Sequence, residues 1–416
     1  MFGTVCFPWQ CAPMKALPVH PAGWGIAAVL CGIVAVFAVA AQWTTAPLTA
    51  GPMLQNATPD GFTVVWWKTG HSPAELRVRG ITEAEVVFPA RRTGDRFEAR
   101  ATGLEPGVAC RYDILDIAPD GSRRRLAEGR ARTAPPPGTP FSFLMFADSG
   151  SGKRPQYRLA QTMDRYPFDL VLHGGDLIYG QAAPGDYADK FFRPYRNWLR
   201  DVPIYPVLGN HDLKEDAGQA FLQTFSLPTN GPARLPPEHC FWFDYGDARF
   251  VGIDSNLDPD LLAGAVVPWL RETLAVAGRR WKFVFFHHPP WAGGNRPADA
   301  KVCDILVPAI EAGGADVVFC GHNHLYERML PRRNGRVVPA PEGILYVVSG
   351  AGGKSLHKEQ PEAVRDLAKF DDSQFSFTWV RVDARRVAIE QIGANDAVLD
   401  RVELKHLDSP GPNDIP

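Results

Sequence analysis

The chain has 416 residues, 45% of them hydrophobic and 22% charged, with a formal net charge of −2; this is ordinary globular composition, long enough for two or three domains, and it excludes a disordered or fibrous chain. With 44 basic against 46 acidic residues, no charge excess draws the protein to nucleic acid or to an anionic surface. None of the seven cysteines falls in a C-x-x-C pair, which argues against a structural zinc ribbon.

The first element is apolar. Gly25 to Ala41 reads GIAAVLCGIVAVFAVAA, uncharged, preceded by Lys15 as its only basic residue and closed by Ala38-Val39-Ala40, which is the pattern of an export segment. The small-residue end fits signal cleavage and the length fits a short membrane anchor, so residues 1–43 are assigned to export with both forms open. The expected location is periplasmic, secreted, or membrane-anchored through residues 25–41 and facing outward. Export makes disulfides possible among Cys110, Cys240, Cys303 and Cys320, with Cys303 and Cys320 near in sequence; buried free thiols fit equally.

Residues 44–134 read as a small β-sandwich. Strand patterns at Phe62–Trp67, Glu75–Arg79, Phe97–Arg100 and Tyr112–Ile117 are separated by the turn signals Pro59-Asp60-Gly61, Thr93-Gly94-Asp95 and Pro119-Asp120-Gly121. Leu104-Glu105-Pro106-Gly107 followed by Tyr112 resembles the tyrosine corner of fibronectin type III domains, which predicts that the Tyr112 hydroxyl ties its strand back to the upstream loop, with Trp66 as the core tryptophan. The aromatic residues here read as packing rather than as a carbohydrate platform.

The proline-rich stretch 135–140 reads as a stiff linker. Residues 141–408 then alternate apolar strands with helical or loop stretches: Phe141–Phe146, Leu170–His173, Ile204–Leu208, Arg249–Ile253, Lys282–Phe286, Val317–Cys320 and Ile344–Val348. Continuous apolar strands imply sheets covered on both faces. Phe375–Val382, Val387–Ile392 and Ala397–Leu404 are expected to complete one sheet edge, and residues 409–416 form a tail.

Five strings at the ends of these strands carry hard-metal ligands: Asp148-Ser149-Gly150, Gly175-Asp176-Leu177-Ile178-Tyr179, Gly209-Asn210-His211-Asp212, Val284-Phe285-Phe286-His287 and Gly321-His322-Asn323-His324. In α/β folds, ligands bind beyond the carboxyl ends of strands. Hydrolysis of a phosphate ester needs an activated water and relief of charge on the phosphoryl oxygens, which a pair of cations supplies when a carboxylate bridges them and oxygen and nitrogen donors complete each one. Carboxylates, an amide and imidazoles in this order therefore read as a two-metal phosphoesterase site.

The strings resemble the calcineurin-like metallophosphoesterase superfamily and, through Tyr179 three residues after Asp176, the purple acid phosphatases. That resemblance implies an α/β fold with an N-terminal fibronectin type III-like β-sandwich followed by a four-layer α/β/β/α catalytic domain. It implies one metal held by Asp148, Asp176, Tyr179 and His324 and a second by Asp176, Asn210, His287 and His322, with Asp176 bridging. The tyrosinate favours Fe(III) at the first position, beside Fe(II), Zn(II) or Mn(II) at the second. The implied activity is that of a hydrolase, an acid phosphatase cleaving phosphomonoesters of small molecules by direct attack of a metal-bound hydroxide. His211 is read by the same resemblance as a contact to the substrate phosphate, able to steady charge or protonate the leaving group. The family spacing selects His287 over His288 as ligand, and His173, within a strand, reads as a core or supporting residue. The departure from the family is the stretch Pro289–Gly321, which has no histidine and offers Asn295 and Arg296 instead. The same ligands also suit phosphodiesters or nucleotides, and a different class, an inert surface-binding protein, is disfavoured by the complete ligand set. Nucleic acid is not implied as a partner, and the oligomeric state is left open.

Overall fold

The computed structural model describes residues 48–80, 85–180, 185–214, 216–275, 278, 281–293, 297–340, 342–358 and 366–405. The export segment and the C-terminal tail lie outside them. Strands β1 (Leu48–Thr58), β2 (Gly61–Lys68), β3 (Ala74–Arg79), β4 (Glu85–Pro89), β5 (Arg91–Thr93), β6 (Arg96–Ala101), β7 (Ala109–Ile117) and β8 (Arg123–Arg132) build two four-stranded antiparallel sheets, ordered β1-β2-β6-β5 and β4-β3-β7-β8. Alternation decides which face is buried: in β3, Ala74, Leu76 and Val78 point inward while Glu75, Arg77 and Arg79 do not. Trp66 is fully buried and stacks on Phe97 at 5.9 Å between ring centroids.

The expected tyrosine corner is corrected. The Tyr112 ring lies in the sandwich core, yet its hydroxyl donates to the Arg200 carbonyl at 2.6 Å, across to the following domain. The upstream loop is held instead by Thr133, whose hydroxyl donates to Glu105 O at 2.7 Å and accepts from Val108 N at 2.9 Å. A threonine in place of the tyrosine frees the phenol for the longer-range bond.

The second domain holds two mixed sheets. One contains β9 (Phe141–Phe146), β10 (Leu170–His173) and β11 (Ile204–Pro206); the other contains β12 (Phe241–Tyr245), β13 (Ala248–Gly252), β14 (Trp281–Phe285), β15 (Val317–Cys320), β16 (Tyr326–Met329), β19 (Leu345–Ser349) and β20 (Leu367–Asp371), with a small hairpin β17 (Arg332–Arg333) and β18 (Arg336–Val337) set apart. The chain then returns to the first sheet with β21 (Ser376–Val382), β22 (Arg386–Gly393) and β23 (Val398–Lys405), giving the orders β11-β10-β9-β21-β22-β23 and β12-β13-β14-β15-β19-β16-β20. Strands β9, β10 and β11 are mutually parallel, as are β13, β14, β15 and β19.

The sheets meet through aromatic side chains: Phe143 of β9 packs edge-on against Phe250, Phe283 and Phe319 at 5.3, 5.2 and 6.1 Å. Helix α1 (Arg154–Met163) follows β9 and buries Leu159, Ala160 and Met163 in the same cluster as Leu144 and Phe146. On the far side of the second sheet Leu270, Leu274, Leu306 and Ile310, from helical segments, cover Val284, Val318 and Val348. Helix, sheet, sheet and helix are thus stacked in four layers.

The described residues belong to one compact unit, and strand β1 explains why. Leu54 N donates to Leu199 O at 2.7 Å, Gln55 Oε1 accepts from Ser226 N at 2.7 Å, and Met53 and Ala57 belong to the core cluster of the second domain. The proline-rich linker is also fixed, with Gly246 N donating to Pro135 O and Gly138 N to Asp247 Oδ2. Cys110, Cys240, Cys303 and Cys320 are free thiols. Cys320 is buried within the strand run of β15.

Candidate metal centre

Each sequence-assigned ligand stands at or just beyond the carboxyl end of a parallel strand, and the structure brings all seven together. Tyr179 Oη lies 2.8 Å from Asp148 Oδ1 and 2.7 Å from His324 Nε2, and His324 Nε2 is 3.4 Å from Asp148 Oδ1. His287 Nε2 lies 3.5 Å from Asp176 Oδ1 and 3.1 Å from Asn210 Oδ1; His322 Nδ1 is 3.1 Å from Asn210 Oδ1 and 3.3 Å from His287 Nε2. Ligand atoms of Asp148, Asp176 and His287 all fall within 4.8 Å of one another.

The local backbone is bent to achieve this. Asp148, Asp176 and His322 have φ of 60°, 55° and 70°, in the left-handed region that Asp, Asn and His enter more readily than other side-chain-bearing residues. Their amide neighbourhood rewards it: His322 N donates to Asp148 Oδ2 at 2.8 Å and His211 N to Asp176 Oδ1 at 2.8 Å. Glycine is required where these loops touch. A Cβ on Gly209 would collide with the amide and carboxylate of Asp176, and one on Gly150 with the Leu177 carbonyl.

Burial sets the charge behaviour. Asp148 is fully buried, which pushes its carboxyl up to about 7; the Asp176 charge pushes the same way and His287 opposes it. Burial also acts on Asp176, but the His287 charge and the His211 amide outweigh it and hold that carboxyl below its ordinary value. The Tyr179 hydroxyl is driven well above its ordinary range by burial and by both carboxylates. His211 is only part-buried; its ring lies 4.5 Å from the Tyr179 ring, its Nε2 faces Lys214 Nζ at 3.4 Å, and its Nδ1 is buried without a partner.

This donor set fits two cations. It combines two carboxylates, an amide oxygen, a phenol and three imidazole nitrogens, hard and borderline donors of the type divalent and trivalent first-row metals take. The His287 ring is oriented for ligation through Nε2, because its Nδ1 lies 2.9 Å from the Gly174 carbonyl and donates there.

Two supporting residues, Asp212 and His357, were not singled out from the sequence. Asp212 accepts from the amides of Leu177, Ile178 and Gly209 at 3.3, 3.1 and 2.9 Å, and so welds the second string to the third; its place beside Asn210-His211 was the available signal. His357 stacks on His324 at 3.9 Å with a 10° interplanar angle, accepts from His324 N at 3.0 Å, and stands near Ser355, whose Oγ is 2.8 Å from His324 Nδ1. No spacing rule ties a histidine 33 positions later to this string. His173 sits in the core with Nε2 2.9 Å from Ser149 Oγ. His288 contacts the His322 ring at 4.8 Å and is held at Nδ1 by Ser255, 2.9 Å away, so it joins His287 and His322 in a second close group. Asn295 and Arg296 lie outside the described residues.

Residues 141–326 match the calcineurin-like phosphoesterase family. The chain is 25% identical over 370 residues to an uncharacterized protein of Mycobacterium tuberculosis, covering 76% of this chain and 66% of the relative. It is 26% identical over 291 residues to purple acid phosphatase 15 of Arabidopsis thaliana, covering 61% of this chain and 53% of the relative. The chain thus spans between about half and two thirds of the length of these curated relatives. Its fold is similar to that of purple acid phosphatase PPD1 from yellow lupin (Lupinus luteus) seeds, with a TM-score of 0.74 at 19% identity over 85% of this chain and 74% of that one.

Proposed function

Because residues 141–326 are a calcineurin-like phosphoesterase domain and purple acid phosphatases are among the chain's homologues, we propose that the protein is a metal-dependent phosphatase that hydrolyses phosphomonoesters of small molecules. The observation that carries the reading is the convergence of Asp148, Asp176 and His287 within 4.8 Å, with the Tyr179 hydroxyl joined to Asp148 and His324. Asp148, Asp176, Tyr179 and His324 would hold one ion, Asp176, Asn210, His287 and His322 the other, with Asp176 shared. The phenol favours Fe(III) at the first position, with Fe(II), Zn(II) or Mn(II) at the second. Bound there, the cations supply an acidified water and neutralise charge on the phosphoryl oxygens.

The chain's own residues do the rest. The His211 amide fixes the Asp176 carboxylate, and Asp212 fixes the loops on either side. The His211 side chain, part-buried beside Tyr179, is the group this reading sets against the substrate phosphate and the leaving group. The reaction in this reading is direct attack of water on phosphorus, with no phosphoenzyme; Ser149, the serine beside the ligands, is buried against His173 and is read as a supporting residue. Export through residues 25–41 belongs to the same proposal and places the active site outside the cytoplasm.

The test is metal analysis of the purified protein, its visible absorption, and hydrolysis of an aryl phosphate monoester and the diester of the same alcohol. Two metals per chain, a tyrosinate-to-iron band and preference for the monoester are expected. Preference for the diester would convert the assignment to a phosphodiesterase, and a folded, metal-free, inactive protein would refute it.

A further inference from the structure

The outward face of the sheet β4-β3-β7-β8 carries a row of like charges. Arg79 pairs across the ladder with Arg111, and Arg111 with Arg130, so three arginines stand abreast on adjacent strands roughly 4.8 Å apart and share one face. Like charges directly opposite one another destabilise a sheet. Internal acids relieve only part of this row. Asp113, fully buried, accepts from Arg77 at 2.7 Å and from Arg79 at 2.6 Å, with Arg125 at 3.5 Å. Arg111 and Arg130 form no ion pair among the described residues; the Arg130 backbone is fastened by its amide to Asp201 at 2.7 Å, which leaves the guanidinium outside the bond.

Arg79, Arg111 and Arg130 are also the common wall of two adjoining cavities of about 810 and about 560 Å³. The second extends to Arg125, Glu128 and Arg200.

We propose that this arginine row is a binding site for a uronate-bearing polysaccharide, remote in its chemistry from the metal centre. The guanidinium fork matches a carboxylate in a bidentate way, and adjacent strands present such forks in series. The acids among the arginines are partly engaged, Glu128 by Arg125 at 2.7 Å, Glu85 by Arg77 and Arg79 at 3.7 and 4.0 Å, and Asp201 by the Arg130 amide; their remaining lone pairs supply acceptors for sugar hydroxyls and would repel the dense phosphates of a nucleic acid. Tyr112, the aromatic residue in the lining, has its ring buried in the sandwich core, so bases find no stacking platform. Val87, exposed on β4 opposite Arg77, adds apolar contact for a sugar ring, while among the described residues the face lacks the continuous apolar strip that lies in a membrane surface.

The experiment is calorimetric titration of the whole protein with a galacturonic acid hexamer, beside Arg111→Ala, Arg130→Ala and the double variant, with thermal melting to establish that each variant is folded. Binding that weakens with added salt, and that weakens about tenfold for each alanine, is expected from hydrogen bonds to charged groups. Arg111→Lys should recover only part of the loss, because the charge returns without the fork. Absence of binding to the hexamer, equal affinity in the double variant, equal affinity for a neutral glucose hexamer, or tighter binding of polyphosphate or duplex DNA would each overturn the proposal.

Discussion

At the residue scale the metal centre is a place where side-chain chemistry overrides backbone preference. Three non-glycine residues in the left-handed region, Asp148, Asp176 and His322, carry strain of about 1–3 kcal/mol each, offset by the bonds the two carboxylates accept from His322 N and His211 N. Gly209→Ala should therefore remove metal and activity together without a large loss of secondary structure, since the added methyl meets Asp176 itself; metal analysis of the folded variant checks this. The Asp148 carboxyl, raised to about 7 by burial, holds a proton in the metal-free protein at pH values where an unfolded aspartate has lost it. A cation must displace that proton, so apparent metal affinity should rise by about tenfold per pH unit from about 5 to 7. Titration in two buffers of different ionisation enthalpy measures the release, and a pH-independent affinity would refute the assignment of Asp148. His211→Ala should slow turnover of alkyl phosphates more than that of activated aryl phosphates, because only the former need a proton at the leaving oxygen. Equal losses would move His211 to simple phosphate binding.

At the element scale the apolar strands were legible because a doubly covered strand must be apolar throughout: Phe141–Phe146, Leu170–His173 and Val317–Cys320 stand where the pattern placed them. Strands β8, β12, β16 and β20 were not. In β8, the sequence RRRLAEGRAR is polar and has one buried residue, so partners across the ladder, rather than its own pattern, make it a strand. The tyrosine corner failed for a related reason: the ring obeyed the local pattern, whereas the hydroxyl's partner, Arg200, is 88 residues away. Tyr112→Phe should leave that carbonyl unsatisfied and lower stability by about 1–3 kcal/mol while leaving phosphatase activity unchanged; denaturant melts of both proteins measure it.

At the scale of the whole molecule, sandwich and catalytic domain share β1, whose Met53 and Ala57 lie in the catalytic core cluster. A chain joined this way should unfold in one calorimetric transition, and removal of residues 48–133 should leave the remainder insoluble or strongly destabilised; two separate transitions would show that the shared strand does not couple them. The sequence by itself determined the candidate ligand types, their order and the strands that end in them, because each depends on chemistry or alternation within a few residues. It also pointed to a two-domain α/β architecture. What only the tertiary structure decided was everything set by contact between distant segments: that Asp212 joins two ligand loops, that His357 backs His324, that Tyr112 reaches the neighbouring domain, and that three arginines from separate strands fall into one row. Such contacts arise from strand register and sheet packing, which bring together residues whose spacing along the chain carries no period.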